Sequence, residues 1–143
     1  MRKVLVASHG HVASGIKSAI RILVGNDDAV TAVDCYVDDT DFTPLLQGFI
    51  DDVGPDDEGI IFTDLLGGSV CNKVMTLMPE RRGIVHVTGF NLIVVIECLL
   101  ASDRLTPEKV DEIVAGCSLQ MKRVSVEGES AEDVKDDEGD FFS

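Results

Sequence analysis

The sequence predicts an α/β fold: an open, four-stranded parallel sheet with helices on both faces. Three observations carry that prediction. Short apolar runs and amphipathic helical stretches alternate four times at close spacing, the pattern of parallel strands joined by crossover helices. The runs at Val4–Ala7 and Gly59–Thr63 are almost continuously apolar, as strands covered on both faces are. The chain has 143 residues, 45% of them hydrophobic, which is one domain with enough apolar surface for a substantial core.

The elements follow in order. Val4 to Ala7 is the first strand, and it stops at Ser8-His9-Gly10. Val12, Ile16, Ala19, Ile20 and Leu23 then repeat on one helical face, which Gly25-Asn26 closes. Ala29 to Cys35 is the second strand. Thr40 or Asp41 caps the next helix, Pro44 sits in its first turn, and Phe42, Leu45, Leu46, Phe49, Ile50 and Val53 mark its buried side. Gly54-Pro55-Asp56-Asp57 is a turn into the third strand, which ends at Asp64. Leu65-Leu66-Gly67-Gly68-Ser69 leads into a helix that runs to Met78, where Pro79 stops it. Ile84 to Thr88 is the fourth strand, ended by Gly89-Phe90-Asn91. An apolar helix spans Leu92 to Ser102, and Thr106-Pro107-Glu108 opens another. Gln120 to Glu127 alternates in the manner of an edge strand, paired across a subunit boundary. The body thus covers residues 1–127, and residues 128–143 form an acidic, mobile tail with Phe141-Phe142 near its end.

Charge and cysteine content exclude several classes. The formal net charge of −14 disfavours nucleic acid and anionic membrane and favours a basic protein partner. Part of it is local, because Glu129 to Asp140 holds seven acids against Lys135 alone. Cys35, Cys71, Cys98 and Cys117 form no C-x-x-C pair and sit in apolar stretches, so they read as small buried hydrophobes in a reducing cytoplasm. Met1-Arg2-Lys3 and four apolar residues are too short for a signal peptide, and Leu92–Ala101 is too short to cross a bilayer. The expectation is a cytoplasmic protein.

Two side chains stand where an open parallel sheet gathers its chemistry, beyond the carboxyl ends of strands. His9 follows strand one and Asp64 follows strand three. If those strands are neighbours, the carboxylate can hold one ring nitrogen, fix the tautomer and leave the other nitrogen as a nucleophile. It also favours the cationic imidazole, which matters if the ring carries a phosphoryl group. Gly67-Gly68-Ser69 opens a helix with backbone N–H groups and a hydroxyl suited to an anion. Nucleophile, orienting acid and anion nest together form a phosphoryl-transfer set. Taken singly, each has a plainer reading: His9 as a turn residue, Asp64 as a turn cap, Gly67-Gly68 as a tight turn. Neither G-x-G-x-x-G nor the P-loop pattern occurs, so no nucleotide cofactor is expected. His9-x-His11 invites a metal, but hydrolases with that motif draw further ligands from a full barrel, for which the chain is too short; no metal site is expected. His86 lies inside strand four, where burial is its expected fate.

Ser8-His9-Gly10 after an apolar strand, then Phe62-Thr63-Asp64-Leu65-Leu66-Gly67-Gly68-Ser69 with Asn72, then Gly89-Phe90-Asn91 with Glu97, stand in one register. Over residues 1 to about 127 the chain resembles the IIA component of the mannose (mannose–fructose–sorbose) family of the phosphoenolpyruvate-dependent sugar phosphotransferase system. The resemblance implies a cytoplasmic, homodimeric phosphohistidine carrier, a transferase component of sugar transport. It would take a phosphoryl group from HPr and pass it to a separate IIB protein, which serves the membrane components IIC and IID. It implies that His9 is phosphorylated on Nε2, that Asp64 holds Nδ1, and that Ser69 with the Gly67 and Gly68 amides holds the phosphoryl group. It also implies an antiparallel fifth strand exchanged between subunits. The chain departs from the family in having Val70 and Ile93-Val94 where proline and Pro-Met are frequent. The related subunit that serves dihydroxyacetone kinase centres on the same histidine, and a non-catalytic regulatory α/β module is a further alternative. A receiver-like module would need paired acids after strand one, where Ser8-His9 stands instead.

Overall fold

A computed structural model describes residues 1–126. In chain order the elements are β1 (Arg2–His9), α1 (Val12–Val24), β2 (Val30–Cys35), α2 (Thr43–Asp52), β3 (Glu58–Thr63), α3 (Ser69–Thr76), a 3-10 turn at Pro79–Arg82, β4 (Val85–Thr88), α4 (Leu92–Leu100) and α5 (Pro107–Ser118). The four strands make one parallel sheet in the order β2-β1-β3-β4. This is the α/β architecture that the alternation of apolar runs and helices predicts.

The side-chain alternation of each strand divides the core in two. From β1 and β3, Val4, Val6, Ile60 and Phe62 face one side, where α1, α4 and α5 supply Ala13, Ile20, Val94, Val95, Val110 and Ile113. Leu5, Ala7 and Ile61 face the other, against Leu46 and Ile50 of α2 and Val70 and Val74 of α3. Each fully buried Leu, Ile or Phe contributes about 1.5–3 kcal/mol by leaving water. Because both central strands are covered twice, β1 and β3 are held rigidly as neighbours, and their carboxyl ends emerge side by side.

Several boundaries differ from the sequence reading, each for a visible reason. β1 extends beyond the apolar run at both ends. Arg2 is paired across to Glu58 through a 2.8 Å ion pair, and Ser8 and His9 stay in register with Asp34 and Cys35 of β2. Neither Thr40 nor Asp41 occupies the cap position of α2. Phe42 does, although the Asp41 carboxylate accepts the Thr43 N–H at 3.0 Å. α3 ends at Thr76 rather than Met78. Met78 takes a left-handed φ of 50°, and Pro79 then opens the 3-10 turn instead of merely ending a helix. α4 ends at Leu100, two residues early, whereas Thr106 caps α5 as expected by accepting the Lys109 N–H at 3.1 Å.

Within the single chain, residues 121–126 form no strand. An edge strand exists only through ladder hydrogen bonds to a neighbouring strand, and among the described residues the four strands pair with one another and with no further strand. The acidic tail lies outside the described residues. All four cysteines are buried free thiols, and burial pushes Cys35 and Cys98 up to about 11 and Cys117 up to about 12. Among the described residues, no helix is long and apolar enough to cross a membrane.

Candidate functional site

The pairing of β1 with β3 runs through Ala7 opposite Thr63. One step further, the Asp64 carboxylate takes over the role of the strand carbonyl. Its Oδ2 accepts the His9 backbone N–H at 2.8 Å and faces the ring Nδ1 at 2.9 Å. A carboxylate can only accept, so Nδ1 carries the proton and donates it, which fixes the tautomer. Nε2 is then the acceptor, and the Ser69 Oγ hydroxyl meets it at 3.1 Å. The His9 side chain is 41% exposed while that of Asp64 is 15% exposed. The orienting acid is therefore buried and the ring is presented to solvent.

Two opposing effects set the ionisation of Asp64. Burial pushes its carboxyl up, and the hydrogen bonds from the His9 amide and ring outweigh that and hold it below its ordinary value. The other oxygen, Oδ1, is buried and has no hydrogen-bond partner among the described residues. Both of the acid's hydrogen bonds to His9 thus run through a single oxygen.

The loop after β3 shapes the far side of the ring. Gly67 has φ +74°, a left-handed conformation that a side chain would strain. Gly68 packs so closely that a Cβ there would lie 3.1 Å from the Leu65 carbonyl oxygen and 3.6 Å from His9 Cε1. Its own N–H is committed to the Leu65 carbonyl at 3.0 Å, so Gly68 closes the turn rather than offering a free donor. Ser69 is the first residue of α3, and no side chain caps that helix start. Its first-turn amides and positive dipole end lie beside the Ser69 hydroxyl. Asn72 steadies the loop by donating from Nδ2 to the Gly67 carbonyl at 3.2 Å.

The histidines of His9-x-His11 do not converge. His11 faces Asp34 Oδ2 through Nδ1 at 3.0 Å, on the β2 side, while His9 is bound on the β3 side. Among the described residues no group of three His, Cys, Asp or Glu side chains is placed to hold a metal ion. Sequence reasoning passed over three contributors. Asp34 caps α1 from the neighbouring strand by accepting the Ser14 N–H at 2.9 Å. Tyr36, just past β2, stacks on His9 with ring centroids 5.3 Å apart. Thr63, fully buried beneath the site, joins His86 Nε2 at 2.8 Å and Thr88 Oγ1 at 2.9 Å. The rule that singled out His9 and Asp64, position beyond a strand's carboxyl end, applies to Tyr36 as well, whereas Asp34 lies inside β2. His86 is half-buried rather than enclosed in the core.

The chain is similar to known proteins along most of its length. The family described as PTS system fructose IIA component matches the chain over residues 3–115. Component EIIA of the phosphotransferase system from Streptococcus agalactiae superposes with a TM-score of 0.73 at 24% identity, over 86% of this chain and 97% of that one. The mannose/sorbose-specific IIA subunit from Enterococcus faecalis gives 0.72 at 21% identity, over 87% and 95%. The PTS IIA protein associated with the fucose utilization operon of Streptococcus pneumoniae gives 0.70 at 27% identity, over 85% and 92%. No curated protein matches.

Proposed function

The chain belongs to the family of PTS system fructose IIA components, and from that premise we propose that it carries a phosphoryl group on Nε2 of His9. The observation that carries the proposal is the ring itself. Nδ1 is fixed on Asp64 at 2.9 Å, and Nε2 sits 3.1 Å from Ser69 at the uncapped start of α3. In the transfer, the Nε2 lone pair attacks phosphorus and forms the new N–P bond. The bond to the donor's imidazole breaks, and its electron pair returns to the donor. The His9 ring becomes cationic as this bond forms, and the Asp64 carboxylate, already ionised, meets that charge without reorganising. The arriving oxyanions meet the Ser69 hydroxyl and the first-turn amides of α3, with Gly67 and Gly68 shaping the loop that brings them close.

The donor in this reading is phospho-HPr and the acceptor a separate IIB protein, which serves IIC and IID at the membrane. The net charge of −14 suits basic partner surfaces. The same reading takes the protein as a cytoplasmic homodimer in which the segment from Gln120 to Glu127 crosses to the partner's sheet edge. Intact-mass spectrometry after incubation with phosphoenolpyruvate and enzyme I, with and without HPr, tests the function. The expected result is one phosphoryl adduct that requires HPr, is lost in acid, maps to His9 and is absent from His9→Ala. Full labelling of His9→Ala refutes the site, and no adduct on the wild type beside an active control IIA refutes the function.

A further inference from the structure

The residue that follows β2 has a backbone that does not suit it. Tyr36 adopts φ +64°, the left-handed region in which an aromatic residue is rare. Glycine or asparagine would turn the chain there without strain. Nor is the ring core filling, since Tyr36 is 56% exposed. A large side chain held at a strained, exposed position calls for a local reason, and the ring's contacts supply one. One face stacks on the His9 imidazole at 5.3 Å and 25°. From another side Phe42, mostly buried, meets Tyr36 edge-on at 5.1 Å and 78° and fixes its orientation. The turn is anchored where the Gly10 N–H donates to the Cys35 carbonyl at 2.9 Å, which ties the residue after His9 to the residue before Tyr36.

We propose that Tyr36 is a positioning residue for His9: its ring holds the imidazole plane and stabilises the positive charge that the ring acquires on phosphoryl transfer. The inference rests on the phosphocarrier reading above and adds to it a third support for the same ring. Asp64 fixes one edge through Nδ1 and Ser69 meets the other through Nε2, but two hydrogen bonds along one axis leave the ring free to rock about that axis. A stacked face removes that motion. The face of an aromatic ring is also the negative end of its quadrupole, and it attracts a cation placed against it. The phenol hydroxyl has no part in either effect, so phenylalanine should serve as well.

The test uses Tyr36→Phe, Tyr36→Ala and Tyr36→Gly in the full chain, with two readouts. The first is the NMR signals of the His9 ring protons in the unphosphorylated protein, which the Tyr36 ring current holds upfield. The second is the phosphoryl-transfer rate from phospho-HPr at saturating and subsaturating donor. Removing the ring should move the His9 signals downfield and lower the saturated rate about two- to five-fold, the value of an exposed cation–aromatic contact, with little change in the donor concentration at half-saturation. Tyr36→Phe should restore both readouts. Tyr36→Gly keeps the test independent of folding, because glycine takes φ +64° without strain. Unchanged His9 signals and an unchanged rate in Tyr36→Gly overturn the inference, as does a Tyr36→Phe protein that behaves like Tyr36→Ala. A wild-type chain that takes no phosphoryl group, while its His9 signals still answer to Tyr36, refutes the function proposed above and supports the ring-holding half of this inference.

Discussion

Replacing Asp64 by asparagine separates the orienting role of the carboxylate from its bulk. Oδ2 accepts both the His9 N–H at 2.8 Å and the ring Nδ1–H at 2.9 Å, while Oδ1 is buried with no partner among the described residues. In Asp64→Asn the amide oxygen can take the Oδ2 position and keep both bonds, now neutral. Its NH2 group then falls where the buried Oδ1 stands, which puts two donors in a place built around an acceptor-only oxygen. Leaving buried donors unsatisfied costs about 1–3 kcal/mol, so the variant should melt about 3–12 °C lower for a domain of this size. The sign of the pH dependence follows from Asp64's lowered pKa, held below its ordinary 3.8 against the opposing effect of burial. The carboxylate's stabilisation is complete above that ordinary value and is lost as the pH falls through the folded one. The gap between wild type and variant should therefore be full at pH 7 and narrow below about pH 4. For transfer, losing a charged hydrogen-bond partner worth about 1.5–3 kcal/mol slows the step about 10- to 100-fold. Quench-flow measurement of the adduct, beside thermal melts at pH 7 and pH 3, reads both effects. A destabilised Asp64→Asn that still accepts phosphoryl at the wild-type rate would sink the orienting role and leave Asp64 a structural acid.

Three further outcomes follow from the geometry. Gly68→Ala places a methyl 3.1 Å from the Leu65 carbonyl oxygen, and crowding of this kind costs about 1–3 kcal/mol. The loop should shift and slow phosphoryl acceptance while far-ultraviolet circular dichroism stays unchanged, and wild-type kinetics would show that the close approach is immaterial. Burial holds the His86 imidazole below its ordinary 6.5, so the native state prefers it neutral, and its stabilisation is full above that value and lost as the pH falls below it. His86→Gln should flatten the melting profile between about pH 7 and pH 5; a profile with the wild-type slope would contradict the assignment. Phe62→Ala removes a fully buried ring that packs against Phe90 at 6.4 Å, and urea unfolding should show a loss of about 3–5 kcal/mol.

Much of the site was legible in the linear chain because strand ends are. A buried strand announces itself by its apolar run, and the polar residues that follow the run are delivered to the carboxyl edge of the sheet. His9 and Asp64 are two such residues. Ser69 could be read as a helix start from the glycines before it. Tyr36 could not be read as a partner of His9. Its φ of 64° and its stacking depend on how the turn after β2 sits against Gly10, and no local propensity encodes that. The donor role expected of the Gly68 amide was likewise invisible in its absence, because only the folded loop shows that N–H bound to Leu65.

By itself, then, the sequence determined the alternation of strands and helices, the double coverage of β1 and β3, and the residues that each strand end would deliver. Those features are set by periodicity and burial, which are properties of short segments. Only the tertiary structure decided the order β2-β1-β3-β4, and with it the meeting of His9 with Asp64 rather than with Asp34. Strand order is a choice among packings that satisfy the same local patterns. It is fixed by which apolar faces fit together across dozens of residues, and the 2.9 Å contact on which the proposed chemistry depends is a consequence of that fit.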